Sequence, residues 1–149
     1  MQLSPLMNIS VEVEEALSAG MTPIGEVRLI TFARGSFEGE GLRGQLLPGG
    51  VDWQQVRADG VLEIRAHYML QTDEGERIEV VSEGLRHASP EVLARIANDE
   101  PVDPAEYYFR THIRMRTASE RLAHLNRLLA VAAGVRRARS VLIRVFAVP

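Results

Sequence analysis

The sequence predicts an all-β protein with one or two short helices, folded as an antiparallel, closed or nearly closed β-barrel of about eight strands. Several segments alternate apolar and polar residues with the period of two of a half-buried strand. A glycine-dense segment, residues 34–50, is typical of the bulges and bends that a small barrel needs to close. The chain lacks the regular alternation of strands and helices that is typical of a parallel sheet, which favours antiparallel pairing. We expect residues 1–149 to form one domain.

The first half of the chain predicts four strands. Leu6–Val13 alternates apolar and polar residues toward its end, and Val27–Phe32 is rich in β-branched and large apolar residues. Val61–Thr72 alternates most clearly, with Tyr68 on its apolar face and His67 on its polar face. The turn residues that follow predict a hairpin with Arg77–His87.

The second half begins with a predicted helix from Pro90 to about Asn98, because proline after a serine is a normal helix start. Tyr107–Thr117 alternates again and predicts a strand. Leu128–Ala133 and Val141–Val148 are apolar on both faces and predict a closing hairpin around Gly134. Strands of this kind often bury their outer face in a partner, so we expect a homodimer.

Composition removes several classes of chemistry. The chain has no cysteine, which excludes thiol nucleophiles, iron–sulfur clusters and cysteine zinc sites. All 17 basic residues are arginine, which excludes a Schiff-base lysine and a phosphate-binding lysine. No nucleotide loop, nucleophile elbow or histidine pair at metal-ligand spacing occurs. The sequence therefore predicts no metal and no cofactor.

Charge is uneven along the chain, whose net charge is −3. From Tyr107 onward there are nine arginines and one acidic residue, Glu120. These arginines alternate with apolar residues in strands, so we expect no nucleic-acid partner and interpret Arg136, Arg137 and Arg139 as a solvated turn. The first residues do not resemble a signal peptide and no apolar run reaches membrane-spanning length, which predicts a cytoplasmic protein without a membrane partner.

Several motifs, in order along nearly the whole chain, resemble domain-of-unknown-function family 3237, a group of small bacterial and fungal β-barrel proteins. They are Gly44–Trp53, Tyr68 with Asp73–Gly75, Tyr107–Thr111 and Leu125–Arg127. The resemblance implies a barrel with an internal pocket. His67, His112 and His124 stand where the family pattern has arginine, threonine and tryptophan, which indicates either a remodelled site or drift.

Asp52 and Trp53 follow a Pro-Gly-Gly turn, where a carboxyl and an indole would lie at a barrel mouth as an acid or base beside a stacking surface. The alternative is that Asp52 caps the turn and Trp53 plugs the barrel end. Asn126, near a predicted helix end, would either present its amide to a ligand or cap the helix.

Two strand faces carry further candidates: Tyr108, Arg110 and His112 on one, Arg65 and His67 on the other. If both faces line the cavity, they provide a guanidinium for a carboxylate or enolate beside an imidazole. The alternative, favoured by periodicity, is that both faces are solvated outer faces.

The functional hypothesis is an enzyme that binds a small secondary-metabolite-like molecule and promotes its isomerisation, cyclisation or elimination without a cofactor. His67, Asp52 and His124 are the predicted catalytic residues. Predicted substrate-binding residues are Arg110, Tyr108, Trp53, Arg65, Asn126 and Tyr68. The alternatives are a non-catalytic carrier or sensor barrel and a self-associating structural subunit.

Overall fold

The computed structural model describes all residues from 1 to 149 and contains ten strands. The strands are β1 (Ser4–Val13), β2 (Leu17–Thr22), β3 (Gly25–Gly39), β4 (Leu42–Leu46), β5 (Val51–Val56), β6 (Leu62–Thr72), β7 (Arg77–His87), β8 (Tyr108–Thr117), β9 (Leu129–Arg136) and β10 (Ser140–Val148). One α-helix, α1 (Pro90–Ala97), follows β7, and short 3₁₀ turns span Pro104–Glu106 and Ala123–Arg127.

The sheet closes on itself because β1 pairs with both β10 and β3, antiparallel in each case. Strands β4 and β5 each pair with β3 on one side and β6 on the other, so together they fill one position. The barrel therefore has eight positions around its circumference, and β2 extends it along one end of β3. The predicted antiparallel barrel is confirmed.

An apolar core fills one end of the barrel. Inward-facing side chains of β1, β6, β7 and β8 build it, and Ile9, Leu70, Ile78 and Val80 are completely buried there. Leu125, on the 3₁₀ turn Ala123–Arg127, is also completely buried and closes this end. Close packing of apolar side chains accounts for the burial of these residues.

Helix α1 covers the opposite mouth. The Ser89 hydroxyl accepts a hydrogen bond from the Val92 N–H at 3.3 Å, and Pro90 occupies the first turn. Val92 and Ile96 pack on a second apolar cluster that contains Tyr107 and Phe109. No residue of α1 is fully buried, so the helix rests on the mouth without entering the barrel.

The closing hairpin differs from the prediction. Its turn lies at residues 137–139, whereas Gly134 is inside β9 and pairs with Ile143 of β10. The ring of Phe109 lies over Gly134, where a Cβ atom would come within 2.6 Å of ring carbons. Gly134 therefore marks the close approach of an aromatic ring.

The interpretation of Arg136 as part of a solvated turn is also wrong. Arg137 and Arg139 are exposed, but Arg136 ends β9 and is half-buried. No helix of the structure has both the length and the apolar character needed to cross a membrane.

Candidate functional site

Polar residues gather inside the barrel near the mouth that α1 covers. We call Arg28, Asp52, Gln54, Arg86 and Thr111 the inner polar cluster. Residues directly opposite in an antiparallel pair share a face, and the register places Arg28 opposite Gln54. Asp52, Gln54 and Thr111 are buried, and Arg28 and Arg86 are mostly so. Each lies on the inner face of its strand, beside apolar neighbours such as Ile64.

Three members of the cluster form a directed chain of hydrogen bonds. Arg28 donates from Nη2 to Gln54 Oε1 at 3.0 Å, and Gln54 donates from Nε2 to Asp52 Oδ2 at 2.8 Å. The backbone N–H of Arg65 donates to the other oxygen, Asp52 Oδ1, at 3.2 Å. Both carboxyl oxygens of Asp52 are thus held by donors, which fixes the orientation of the group.

Asp52 exchanges its proton near neutrality. Burial raises its pKa from the ordinary 3.8 to about 6, because the charged form loses its hydration. The hydrogen bonds from Gln54 and Arg65, and the charges of Arg86 and Arg28, lower the pKa but do not cancel the effect of burial. A carboxyl with this pKa is suited to act as a general base and, once protonated, as a general acid.

Arg86 is a buried cation without a hydrogen-bonding partner. Its Nε atom is buried and unbonded, and its guanidinium lies 5.9 Å from the centre of the Phe109 ring. Burial lowers the pKa of Arg86 to about 10, with a further contribution from the positive charges of Arg136 and Arg28. Arg28 Nε and Thr111 Oγ1 are also buried without partners. Unbonded buried donors of this kind are uncommon and point to a ligand that accepts from them.

Two tyrosines border the cluster. Tyr68 is buried, and its pKa is raised by burial and by the nearby charge of Asp52, so its hydroxyl keeps its proton. Its ring meets Phe32 edge-on, with 5.6 Å between the centroids. Tyr107 accepts a hydrogen bond from the Arg136 N–H at 2.9 Å.

A surface cleft of about 490 Å³ lies at this mouth. The loop after α1 and the β9–β10 turn form its walls, and Arg136 lines it. Arg136 also lies close enough to Arg86 to lower the pKa of that guanidinium. Arg136 therefore lines the surface cleft and lies within electrostatic reach of the inner polar cluster.

The structure divides the residues predicted from sequence into two groups. Asp52 and Tyr68 lie inside the barrel. The others are exposed on its outer surface: Trp53, Arg65, His67, Tyr108, Arg110, His124 and Asn126. Of the two interpretations of the polar strand faces, the structure shows the solvated one.

The outer residues interact with their neighbours on the barrel surface. His67 Nε2 lies 2.9 Å from Glu79 Oε2, and Arg110 lies over the ring of Tyr108 at 5.5 Å. Asn126 accepts from the Thr117 N–H at 2.8 Å and donates to the Thr117 carbonyl at 2.9 Å, so its amide holds the end of β8.

Trp53 and Arg65 also line an outer groove of about 470 Å³. The register aligns Trp53, Arg65, Glu83 and His112 in one row across four strands. The outer groove is a second concave surface on which predicted binding residues meet. Unlike the inner polar cluster, it holds no buried acid.

Sequence reasoning missed Arg28, Gln54 and Arg86. The signal for Arg86 was present: it continues the inner face of β7 that Ile78 and Val80 begin. Arg28 likewise lies in a strand of mainly apolar residues, where an arginine is unexpected. No group of three His, Asp or Glu side chains lies together as metal ligands would.

The sequence and the structure of this chain are both similar to those of known proteins. Residues 1–148 match the family described as protein of unknown function (DUF3237). The UPF0311 protein RPA1785 of Rhodopseudomonas palustris is 35% identical over 140 residues, which are 94% of this chain and 92% of that protein. Its crystal structure superimposes with a TM-score of 0.93 at 34% identity and covers 99% of this chain and 97% of that one.

Two further structures share the fold. A β-barrel like protein from Acinetobacter baumannii has a TM-score of 0.85 at 34% identity, over 98% of this chain and 94% of that chain. A structure described as an enzyme from Penicillium herquei has a TM-score of 0.74 at 19% identity, over 99% and 94% of the two chains. The family match and the identity to its relatives confirm the predicted resemblance, and the chain belongs to the DUF3237 family.

Proposed function

We propose that the barrel binds a small organic molecule beside the inner polar cluster and promotes its isomerisation, cyclisation or elimination without a cofactor. The observation that carries this proposal is Asp52, a buried carboxyl held by Gln54 and the Arg65 N–H, with a pKa raised to about 6. Asp52 is the acid and base, and Arg28 and Arg86 stabilise the oxygen that becomes negative.

The chemistry balances with these groups alone. In an elimination, Asp52 removes a proton beside the carbonyl group and returns it to the oxygen of the leaving group, which departs with the electron pair of its bond to carbon. In an isomerisation, the Asp52 carboxylate takes a proton from a carbon next to a carbonyl group. The electron pair of that C–H bond forms a carbon–carbon double bond, and the π pair of the carbonyl group moves to its oxygen. The neutral Asp52 then returns the proton to a different carbon of the conjugated system. In a cyclisation, the proton comes from a hydroxyl group whose oxygen attacks an enone, and Asp52 returns it to the carbon beside the carbonyl.

A structure that shares the fold gives further support. The Penicillium herquei protein is described as an enzyme, which supports a catalytic role for a barrel of this shape. Its identity of 19% supports no transfer of individual residues.

Deuterium exchange tests the proposal. Enones and 1,3-dicarbonyl compounds are incubated with the protein in D₂O, and incorporation at carbon is followed by NMR. We expect catalysed exchange with the natural chain and a loss of about 100-fold or more in Asp52→Asn, since general-base catalysis is typically worth 10²–10⁴. The rate should increase with pH through about 6, as Asp52 loses its proton.

Asp59→Asn is the matched control, because Asp59 is an exposed aspartate on the turn after β5. The Asp59→Asn protein should catalyse deuterium incorporation at the same rate as the natural chain. Equal rates in Asp52→Asn and the natural chain, or no exchange with any compound, would overturn the proposal. Loss of exchange in His67→Ala, His124→Ala or Arg110→Ala but not in Asp52→Asn would move the reaction to the outer surface.

The second candidate is a carrier or sensor barrel. The apolar side chains Leu62, Ile64 and Phe109 beside the covered mouth favour it, since they suit the body of a bound molecule. Binding of a compound without any exchange would support this alternative.

A further inference from the structure

We infer that the ligand of the inner polar cluster is an organic carboxylate and that Arg86 is the residue that binds its carboxylate group. This inference rests on the proposed function in placing the ligand inside the barrel. It adds the chemical class of the ligand and assigns a role to a residue that proton transfer alone does not require.

The first argument is the distribution of partners among the buried polar groups. Arg28 donates to Gln54, and Asp52 accepts from Gln54 and the Arg65 N–H. Arg136 donates to the Ser140 carbonyl at 3.3 Å. Among the charged groups of the interior, Arg86 alone has neither an ion pair nor a side-chain hydrogen bond, and its buried Nε lacks a partner. Its five N–H donors are therefore available to a ligand.

The second argument is the charge of the interior. The groups that act on Arg86 are the cations Arg28 and Arg136, the carboxyl of Asp52 and the hydroxyl of Tyr107. With Asp52 ionised, the three guanidinium groups exceed the one interior carboxylate by two charges. The exposed Asp99 offsets the charge of Arg136 but does not act on Arg86, so an excess of positive charge remains around Arg86. A buried cation without a partner is unfavourable, so an anion that enters would relieve this excess.

The third argument is shape and surroundings. A guanidinium presents a planar fork that fits a carboxylate with two parallel hydrogen bonds. Arg86 lies directly opposite Phe109 in the β7–β8 register, and Ile64 lies on the same inner surface. A ligand with a carboxylate end would pair with Arg86, and its apolar or aromatic body would pack against Phe109. Arg136 at the mouth would attract such an anion from the surface cleft.

Arg86→Met provides the first part of the test. Because the replacement removes an unpartnered charge and keeps the length of the side chain, we expect the unliganded variant to melt at a higher temperature than the natural chain. Arg114→Met is the control: Arg114 is an exposed arginine on the outer face of the neighbouring strand β8, and its replacement should leave the melting temperature unchanged.

Ligand binding provides the second part. Cinnamate, its neutral isostere cinnamamide and phenyl phosphate are titrated by calorimetry into the natural chain and both variants. We expect cinnamate to bind the natural chain and Arg114→Met equally, and to bind Arg86→Met at least about tenfold more weakly, the factor that 1.4 kcal/mol represents. Cinnamamide has no charge for Arg86 to pair with. It should therefore bind Arg86→Met at least as tightly as it binds the natural chain or the control variant.

The outcomes separate the two proposals. Three binding results would overturn the carboxylate inference. The first is equal binding of cinnamate and cinnamamide, and the second is tighter binding of phenyl phosphate than of cinnamate. The third is equal binding of cinnamate by Arg86→Met and the natural chain. Absence of cinnamate binding together with no rise in the melting temperature of Arg86→Met would also overturn it. Arg86-dependent cinnamate binding without deuterium exchange on any compound would retain the inference and remove the proposed catalysis. Exchange on neutral ketones without carboxylate binding would do the reverse.

If Arg86→Met does not fold, Arg86→Lys retains the charge but lacks the fork. Its cinnamate affinity should decrease while its net charge stays the same. An unchanged affinity in Arg86→Lys would contradict recognition by the planar guanidinium.

Discussion

Asp52 makes the stability of the protein depend on pH in an unusual direction. Its pKa is raised from 3.8 to about 6, so the native state binds the proton more tightly than the unfolded chain does. The contribution of Asp52 is therefore most favourable below about pH 4 and becomes less favourable as the pH rises through 6. Most buried carboxyls with cationic partners behave in the opposite way, because their pKa is lowered.

Asp52→Asn should remove this dependence. The free energy of unfolding of the variant, relative to the natural chain, should increase between pH 4 and pH 7 by up to about 3 kcal/mol, the value of two pKa units. Urea unfolding of both proteins at the two pH values measures this change. A relative stability that is the same at pH 4 and pH 7 would contradict the raised pKa.

Asp59→Asn again serves as the control. The hydrogen bond from Arg57 lowers the pKa of Asp59, so its carboxylate stabilises the native state above pH 4. Because this contribution is lost only as the pH falls below about 4, the relative stability of Asp59→Asn should stay nearly constant between pH 4 and pH 7.

Among the structural elements, the 3₁₀ turn that closes the apolar end depends on one carboxylate. Glu76, in the β6–β7 turn, accepts hydrogen bonds from Arg121, Ser119 and Thr72. Arg121 also donates to the Gly41 carbonyl at 2.7 Å. These bonds connect the segment before Ala123–Arg127 to two hairpins, and they lower the pKa of Glu76 to about 2, with Arg121 the main cause.

Glu76→Gln should lower the melting temperature at neutral pH, because the charge that Arg121 and Ser119 contact is lost. The difference from the natural chain should disappear as the pH falls from about 4.5 to about 2, where Glu76 itself becomes protonated. Thermal unfolding across this range measures it. Glu74→Gln is the control, since Glu74 is exposed and lies 3.7 Å from Arg121. Equal effects of the two variants would show that Glu76 has no special role.

At this scale the sequence was informative about strands and less so about the site. The alternation in β6 and β8 predicted both the strands and their buried faces, because each strand reports its own pattern. Arg28 and Gln54 are different: they meet only through the β3–β5 register, which joins segments that are distant in sequence. The position of Asp52 after a turn indicated a rigid carboxyl, but its neighbours depended on pairing that no local pattern encodes.

For the whole molecule, the outer surface of β9 and β10 is the expected contact between two copies of the chain. Leu129 is 59% exposed, and Val131, Phe146 and Val148 are half-buried on the same outer surface. We expect a homodimer formed through this surface, because strands that are apolar on both faces usually bury the outer one.

Leu129→Arg should convert the dimer to a monomer, which sedimentation measures directly. Met21→Arg is the control, since Met21 is 82% exposed on β2, at the other end of the barrel. A natural chain that is monomeric at all concentrations would contradict the expectation. Dissociation by Met21→Arg but not by Leu129→Arg would place the contact on β2.

The closure of the barrel through β1 has a consequence for the order of folding. β1 pairs with β3, which is close in sequence, and also with β10, where Ser4 meets Ala147. The local meander of β1 and β3 is therefore able to form early, whereas the seam with β10 must wait until the last strand is available. Until then the edge of β1 stays unpaired and its apolar side chains Met7, Ile9 and Val11 lack part of their cover. The pairing of β1 with β10 that encloses the interior is thus also the pairing with the longest loop to close. A partly folded barrel exposes an unpaired strand edge that favours aggregation, and it has not yet assembled the inner polar cluster.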